Sequence, residues 1–381
     1  MANVLTNLAA DIYKAADVVG RELVGFIPAS TINADGSERV AKGDTVRASF
    51  TRAATAVDVS EAMTIPEGTD QTVDSKTLSI SNSRAVQIPY TGEDVRHLNN
   101  GIGFETVYGD QIAQAMRTLC NEIEADLAEE AYKNASRAFG TAGTTPFASN
   151  FNDVAEVRQI LADNGMPMND GQCSLVLNTL ASTNLRQLSQ LQSVNQAGGS
   201  DLLRQGVLLD LQGMAIRESA QVQSHTKGTG TSYLLNDASS AVGDTTIAAD
   251  GGSGTILAGD IITFAGTSDK YVVNTALSGG SFTIGTPGLQ AAESDNDAIT
   301  VGNNYTANIA MHRRAMELAI RAPAVPEGGD AADDALTVQD PTSGMVFEVR
   351  VYRGYRKTMI EVAAAWGVKA WKPDFIATLL G

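Results

Sequence analysis

The sequence predicts an α+β fold organised around one long helix, and three observations support this class. Residues 104–139 carry apolar side chains at every third or fourth position, which is the spacing of one helical face. Segments typical of an α/β domain lie on both sides of residues 225–303. That intervening segment is rich in Gly, Ser, Thr and Asp and contains short, evenly spaced β-prone runs, so we expect an inserted small β-barrel.

The long helix is the main architectural element of this prediction. At about 1.5 Å per residue it would span roughly 50 Å, about three times the usual length of a globular helix. We expect Gly140 to end the helix, because glycine adopts the left-handed cap conformation at little steric cost. The apolar stripe consists of Tyr108, Ile112, Met116, Leu119, Ile123, Leu127 and Ala131. The opposite side, which suits water or a polar neighbour, carries Gln114, Arg117, Asn121, Glu124, Glu129 and Lys133.

Composition and charge exclude several classes of protein. The chain has 381 residues, enough for two or three domains, and a formal net charge of −17. Specific DNA binding is disfavoured, because it requires a basic face that replaces counterions on the phosphates. No apolar run is long enough to cross a bilayer, and the first residues lack the features of a signal peptide. The two cysteines form no CxxC pair, which favours a reducing, cytosolic environment.

The N-terminal part of the chain predicts elements that need a partner surface. Residues 3–24 have the pattern of an amphipathic helix whose apolar face docks either on the chain's own core or on a neighbouring subunit. Residues 45–50 and 77–80 predict two extended arms, and residues 53–74 between them contain few large apolar side chains. A two-stranded excursion with so little core is marginal by itself, so we expect it to lie across another molecule.

The remaining segments alternate between helix and strand patterns. Thr91 and Asp94 predict a capping box before the long helix, and Asn178 predicts the N-cap of a later helix. The predicted helices are residues 152–164 and 178–191, and a polar loop is expected at residues 192–206. The predicted strands are residues 85–90, 174–177, 214–218, 309–311, 317–320, 345–352 and 358–366, with an exposed acidic loop at 327–334.

The sequence predicts no catalytic, cofactor-binding or metal-binding site, and therefore a protein that is not an enzyme. His97, His225 and His312 are far apart, and none stands at ligand spacing from a Cys or Glu. Residues 293–297 resemble part of a calcium loop but lack its glycine and its distal glutamate, which favours a solvated turn. Neither a Walker phosphate loop nor a Gly-x-Ser-x-Gly motif occurs.

Two alternatives remain open at this point. A tail-tube subunit or an adhesin would explain the Gly- and Thr-rich insertion but has no need of the long helix. An enzyme would need a cluster formed only in the fold, for which His312, Arg313 and Arg314 are the candidates. Pairing of the two arginines with acidic groups at a subunit contact is the stronger interpretation of that cluster.

Three short segments carry a resemblance to a known family. They are Ala258-Gly259-Asp260-Ile261-Ile262-Thr263-Phe264-Ala265-Gly266, Ala365-Trp366-Gly367-Val368-Lys369-Ala370-Trp371-Lys372-Pro373 and Thr91-Gly92-Glu93-Asp94-Val95-Arg96. In their order and spacing over nearly the whole chain they resemble the major capsid protein of tailed bacteriophages with the Hong Kong 97-type fold. The nearest likeness is to the coat protein of the short-tailed Salmonella phage type, which carries an inserted I-domain.

The resemblance implies a division of the chain into the parts of that family. The implied parts are an N-terminal arm (1–44), an extended E-loop (45–83), a peripheral domain (84–144) with its spine helix (104–139), the first part of the axial domain (145–223), an inserted β-barrel or I-domain (224–303), the second part of the axial domain (304–322), and the return strands of the peripheral domain (323–381).

The resemblance also implies a function and a set of partners. Many copies would form pentamers and hexamers of an icosahedral procapsid, assembled in the host cytoplasm with a scaffolding protein and a portal protein. The shell would expand on packaging double-stranded DNA, which it encloses without specific binding, and decoration proteins are further partners; no membrane is involved. Some members crosslink through a lysine of the E-loop. Because Lys76 is the only lysine between Val46 and Ser83 and lies near the end of that arm, we expect no crosslink here.

Overall fold

The computed structural model describes residues 6–50, 74–99, 104–192, 210–237 and 240–381, together with the single residues 56, 58, 59, 61 and 63. The α-helices are α1 (Thr6–Glu22), α2 (Phe26–Ala29), α3 (Gly92–Asn99), α4 (Phe104–Lys133), α5 (Asn152–Asp163), α6 (Thr179–Gln187) and α7 (Ser189–Gln192). Two 3₁₀ turns lie at Arg313–Ala315 and Pro373–Phe375.

The strands fall into two sheets and one hairpin. Those before residue 240 are β1 (Thr31–Val40), β2 (Thr45–Phe50), β3 (Asp74–Ser79), β4 (Asn82–Thr91), β5 (Arg137–Phe139), β6 (Cys173–Leu177), β7 (Ala215–Glu218), β8 (Ser224–His225) and β9 (Tyr233–Leu235). Those after it are β10 (Thr246–Asp250), β11 (Ile261–Phe264), β12 (Lys270–Ser278), β13 (Ser281–Ile284), β14 (Ala298–Val301), β15 (Tyr305–His312), β16 (Met316–Pro323), β17 (Ala332–Gln339), β18 (Val346–Gly354), β19 (Lys357–Ala370) and β20 (Ile376–Leu380).

A six-stranded sheet forms the platform on which α4 lies. Its order is β1-β16-β19-β18-β17, and β4 pairs with the other edge of β19. β19 alternates so that Ile360, Val362, Ala364 and Trp366 belong to the core that also contains the apolar face of α4. Fully buried Trp366 is the largest side chain of this layer.

A twelve-stranded sheet contains the inserted barrel and connects it to the rest of the molecule. Within it the strands β11-β14-β9-β10-β13-β12 are neighbours, and an additional pairing of β11 with β12 closes them into a barrel. β12 also pairs with β5, which continues through β20, β15 and β6 to β7. The barrel predicted for residues 224–303 is therefore present, and it shares a hydrogen-bonded strand ladder with the body.

The two ends of the barrel segment meet in the same sheet. Ser224 and His225 of β8 pair with Thr306 and Tyr305 of β15, so the chain leaves and re-enters the body at one place. β15 then pairs with β6, which precedes the insertion in the sequence. This pairing joins the chain segments before and after the insertion in one sheet, as expected of the α/β segments on both sides of residues 225–303.

The N-terminal helix α1 packs on α4 of its own chain. Ile12, Ala16 and Val19 of α1 are buried in the same core as α4. This settles the open alternative for that apolar face in favour of the chain's own core. The predicted span of residues 3–24 is shortened to Thr6–Glu22, with residues 1–5 outside the described part of the chain.

The predicted C-terminal end of the long helix is wrong. The helix runs for 30 residues and ends at Lys133, whereas the prediction extended it to residue 139. Arg137–Phe139 instead form β5, which pairs in parallel with β20 and antiparallel with β12. Tertiary pairing thus overrides the local helical pattern of these residues. Gly140 does adopt a positive φ of 101°, but it follows β5 and does not cap the helix.

The sequence pattern missed β1, part of β17 and a break in the predicted helix 178–191. β1 was not predicted, because its ten residues are mostly polar; it pairs in parallel with β16. Part of the predicted acidic loop 327–334 belongs to β17, which is paired with β18 over its length. The implied second axial segment, 304–322, is divided: β15 lies in the twelve-stranded sheet and β16 in the six-stranded one. The predicted helix 178–191 is interrupted at Leu188, which is extended.

The close contact between α1 and the turn before β18 depends on Gly20. A Cβ at this position would lie 2.0 Å from Oδ2 of buried Asp340, whose carboxylate accepts hydrogen bonds from Ser343. We predict that Gly20→Ala lowers the free energy of unfolding by ~1–3 kcal/mol, because overpacking outweighs the gain in helix propensity.

Gly109→Ala in α4 is the matched control. A Cβ there would meet its nearest atom at 4.0 Å, so the substitution should be neutral or stabilising by up to ~1 kcal/mol. Urea unfolding of both variants measures the difference. Equal effects at the two glycines would contradict a tight α1 contact at Gly20.

Candidate assembly surfaces

One buried carboxylate on α4 joins three separate segments of the chain. Glu124 Oε2 accepts the Phe26 N–H and Oε1 accepts the Ile27 N–H, both at 2.9 Å. Ser219 Oγ, just after β7, donates to Oε2 at 3.1 Å. A Cβ at Gly25 would lie 2.5 Å from Oε2, so glycine is required for this approach. The spine helix thereby holds the N-terminal segment and the first part of the α/β domain at a single point.

Burial sets the protonation behaviour of this group. Burial raises the pKa of Glu124, and the N–H donors of Ile27 and Phe26 together with the Ser219 hydroxyl only partly oppose that effect. One turn earlier, burial raises the pKa of the Cys120 thiol to about 12. Cys120 is therefore a protonated thiol that packs as a small buried hydrophobe at neutral pH.

Two further carboxylates on α4 fasten the helix to the sheet. Asp126 Oδ2 accepts hydrogen bonds from Asn82 Nδ2 at 2.6 Å and from Trp366 Nε1 at 2.7 Å. One turn later, Glu130 Oε1 accepts the Ala370 N–H at 3.1 Å. These groups satisfy donors of β4 and β19 that would otherwise be buried without a partner. Glu124, Asp126 and Glu130 thus make contacts from the polar side of the helix, whereas Gln114, Asn121 and Glu129 on that side are exposed.

A buried cluster fixes the barrel where it leaves the body. Asp260 Oδ1 lies 2.8 Å from His225 Nε2 and accepts the Gly228 N–H at 2.9 Å. Its Oδ2 accepts the Leu257 N–H at 2.7 Å. Asp260 and His225 are both buried, and their contacts join both ends of the insertion to its interior. His225 therefore makes a structural contact at this junction, and the expectation that it is neither catalytic nor a metal ligand remains a prediction.

Aromatic packing strengthens the same junction. The ring of His225 lies between Tyr132 of α4 and Tyr305 of β15, at centroid distances of 5.5 and 5.4 Å. The Tyr305 hydroxyl donates to the Gly259 carbonyl at 2.6 Å. Gly259 has a φ of 94°, and a Cβ there would lie 2.5 Å from the Tyr132 ring. The spine helix, the body and the barrel meet at this point.

The predicted extended arms form a hairpin whose base packs on the six-stranded sheet. β2 and β3 pair antiparallel from Thr45↔Ser79 onward. Leu78 and Ile80 at the base are buried against the six-stranded sheet. Of residues 51–73 the structure describes only single positions, among which Val59 and Met63 are fully exposed. An excursion with exposed apolar side chains suits a surface that another molecule covers.

Lys76, which bears on the crosslink expectation, lies on this hairpin. Its Nζ is 5.6 Å from the centroid of the Trp371 ring, in a cation–π contact within the chain. The expectation that no crosslink forms remains a prediction.

The structure brings His312 together with Asp170 and Cys173, a grouping that the sequence analysis did not find. His312 Nε2 lies 2.8 Å from Asp170 Oδ2, and its Nδ1 accepts the Arg314 N–H at 3.1 Å. Because Nδ1 is the acceptor, the proton of the neutral ring lies on Nε2, the nitrogen that would have to ligate a metal. Burial also raises the pKa of the Cys173 thiol to about 11, so it is protonated at neutral pH.

His312, Asp170 and Cys173 lie close enough together to hold a metal ion, but a metal would have to displace the protons of the thiol and of Nε2. The hydrogen bond between His312 and Asp170 joins β15 to the loop before β6. Arg313 Nε donates to the Ser30 carbonyl at 3.2 Å, so it serves a contact within the chain and not a convergent active site.

The other candidate residues occupy structural positions. His97 is exposed on α3, where the predicted capping box is confirmed by reciprocal bonds between Thr91 and Asp94. In the predicted solvated turn, Asp297 accepts the Ser294 N–H, but Glu293 is buried and accepts from Thr267. No described helix has the length and apolarity needed to span a membrane.

Neither a protein-family model nor a curated protein matches this chain. Solved structures do match it over most of its length. A chain of the capsid of cyanophage P-SCSP1u is 11% identical with a TM-score of 0.50, covering 94% of this chain and 88% of that one. A chain of Mycobacterium phage Che8 is 15% identical with a TM-score of 0.46, covering 89% and 85%. A chain of the bacteriophage PhiM1 mature capsid is 11% identical with a TM-score of 0.45, covering 94% and 87%.

The comparison and the element order define the class of fold. The chain has an α+β fold of the Hong Kong 97 capsid type with a barrel-like sheet. The fold class expected from the sequence is therefore confirmed. The individual domain boundaries, and the likeness to the short-tailed Salmonella phage type, remain predictions.

Glu124 gives this fold a testable pH dependence. Burial on folding raises the pKa of this carboxyl above its ordinary value of 4.5, so the folded state holds the proton more tightly than the unfolded state. The stability contributed by this group is therefore greatest below pH 4.5 and falls as pH rises through the folded pKa. Relative to Glu124→Gln, which does not titrate, wild type should lose stability as pH rises from 4.5 and then level off.

Urea unfolding at a series of pH values measures this difference, with Glu93→Gln on the exposed side of α3 as a control of equal charge change. We also expect Glu124→Gln to cost ~1–3 kcal/mol, because its amide N–H₂ would face a backbone N–H. A difference from wild type that does not vary with pH would contradict the raised pKa.

Proposed function

We propose that this chain is the major capsid protein of a tailed double-stranded DNA bacteriophage. The observation that carries the proposal is the fold match over 94% of the chain to a chain of a cyanophage capsid, of which 88% is covered. An adhesin or a tail-tube subunit has no need of the long helix α4.

In the proposed shell, copies of the chain associate as pentamers and hexamers, and the β2–β3 excursion lies over a neighbouring subunit. The exposed Val59 and Met63 support this arrangement, because their burial requires a partner. Individually modest interfaces would be reinforced by closure of the shell. With a net charge of −17 on each chain, packed copies would enclose DNA without binding it tightly.

The finer parts of the proposal follow the same family. Assembly would take place in the host cytoplasm with a scaffolding protein and a portal protein, and the procapsid would expand on packaging. We place residues 224–303 as an inserted domain of the kind found in the short-tailed Salmonella phage type. Its closed barrel and its paired ends at β8 and β15 support this placement.

Self-assembly is the direct test of this function. We expect purified protein, alone or with the lysate of a host that expresses the phage scaffolding protein, to form rings or round shells in negative-stain electron microscopy. Sedimentation should show a concentration-dependent shift from monomer to large particles. Protein that stays a folded monomer at every concentration and in both settings would contradict the proposed function.

A further inference from the structure

Three potential metal ligands of different chemistry meet where β15 ends beside β6. His312 and Cys173 are direct partners across these two strands, and Asp170 lies three residues before Cys173 in the loop that leads into β6. One donor atom from each of the three side chains lies within 4.8 Å of the donor atoms of the other two. These three residues are called the loop–strand cluster below.

Neighbouring groups hold the members of the loop–strand cluster in place. The His312 ring packs against the Phe375 ring at a centroid distance of 6.0 Å. Asp170 Oδ1 accepts the Gln172 N–H at 3.0 Å, and the Gln172 carbonyl accepts the Arg313 N–H at 3.0 Å. The loop is therefore fastened to the end of β15, and this preorganisation lowers the entropic cost of binding an ion.

The cluster has a buried floor and one side that is open to solvent. His312 and Cys173 are each 1% exposed, whereas the side chain of Asp170 is 32% exposed. Cys173 is a free thiol, so its sulfur is available as a ligand. An ion can enter past Asp170, and a water molecule on that side can complete its coordination.

We propose that the loop–strand cluster binds a zinc ion through Cys173 Sγ, His312 Nε2 and one carboxylate oxygen of Asp170. Sulfur, imidazole and carboxylate are the ligand types of zinc, which also binds to three protein ligands and one water. Calcium and magnesium require oxygen ligands and do not suit this set. Ligand atoms around a tetrahedral zinc ion lie roughly 3.3–3.8 Å apart, so an inward movement of the Asp170 loop of about 1 Å completes the geometry.

The balance of charges and protons favours the complex once it forms. Zinc replaces the thiol proton of Cys173, which leaves to solvent, and the ring proton of His312 moves from Nε2 to Nδ1. The thiolate and the Asp170 carboxylate together neutralise the two charges of the ion. A partly buried site therefore holds no net charge, which avoids the cost of burying an unpaired ion.

Two existing contacts of the cluster limit the affinity. The Arg314 N–H donates to His312 Nδ1 at 3.1 Å and would lose this acceptor, and burial of Cys173 opposes loss of its proton. We therefore expect a zinc Kd on the order of 1 μM, which is weaker than that of four-ligand structural sites.

A bound ion would link the chain segments on the two sides of the inserted barrel. Asp170 and His312 are 142 positions apart, which is why no ligand spacing in the sequence indicated a metal site. The inference goes beyond the proposed function, because this link forms within one chain whether or not copies assemble. Zinc binding and self-assembly are measured separately, so either can fail alone.

Cobalt substitution of the full-length chain tests the proposal. The protein is freed of metal with a chelator and titrated with Co²⁺, whose bond to a thiolate gives a charge-transfer absorption band, and competition with Zn²⁺ then gives the zinc Kd. The variants are Cys173→Ala, which removes the thiol, and Asp170→Asn, which removes the carboxylate charge at an exposed position. The matched control is Cys120→Ala, which removes the other buried thiol. Thermal melts without metal establish that each variant folds.

We expect the cobalt–thiolate band in wild type and in Cys120→Ala, and no band in Cys173→Ala. Asp170→Asn should weaken zinc binding about tenfold or more, because one ligand is lost. Zinc in excess of its Kd should raise the Tm of wild type but not that of Cys173→Ala, because an ion that binds only the folded state stabilises it.

A wild-type protein without a cobalt–thiolate band would overturn the inference, as would a band that persists in Cys173→Ala. If Cys173→Ala does not fold, Asp170→Asn decides the question, since a zinc Kd equal to that of wild type would exclude the loop–strand cluster as the site.

Discussion

The burial of α4 on more than one side is the constraint on which the rest of the structure depends. Its apolar face closes the core formed with the six-stranded sheet and α1. Its carboxylates Glu124, Asp126 and Glu130 accept hydrogen bonds from the N-terminal segment and from β4 and β19. A helix of 30 residues, about 45 Å long, can thus position segments that lie far apart in sequence. Removing any of these acceptors would leave buried donors unsatisfied, so the polar contacts are as necessary as the apolar ones.

The attachment of the barrel follows from the same helix. Tyr132 near the C-terminal end of α4 packs on His225, and β12 of the barrel pairs with β5, which directly follows α4. The barrel is consequently joined to the body by a strand ladder, a buried Asp260 cluster and aromatic packing. In the proposed shell such a module moves with the body of the subunit. The β2–β3 hairpin then remains available to meet neighbouring copies.

The spacing of apolar residues was enough to predict the elements that have one buried face and one exposed face. Helical spacing of apolar residues predicts α4, as at Ile112, Met116, Leu119 and Ile123. Alternation of apolar residues predicts β18, as at Phe347, Val349 and Val351. Periodicity was not enough where tertiary contacts decide. Residues 137–139 continue a helical pattern but form β5 because they have partners in β12 and β20. The polar strand β1 gains its place through pairing with β16, and the buried role of Glu124 depends on donors about a hundred positions away. The Asp170–His312 hydrogen bond likewise joins residues that are too far apart in the sequence to form a local motif.

Native-state hydrogen exchange of the folded monomer tests most directly whether α4 organises the molecule. If it does, the amides from Ile112 to Tyr132 should exchange only through global unfolding, with protection equal to that of β19 and with a free energy equal to that from urea unfolding. The C-terminal turn of the helix should be as protected as its centre, because the barrel junction packs on Tyr132. Exchange of α4 by local opening, while β19 and the barrel strands stay protected, would contradict the central role given to this helix.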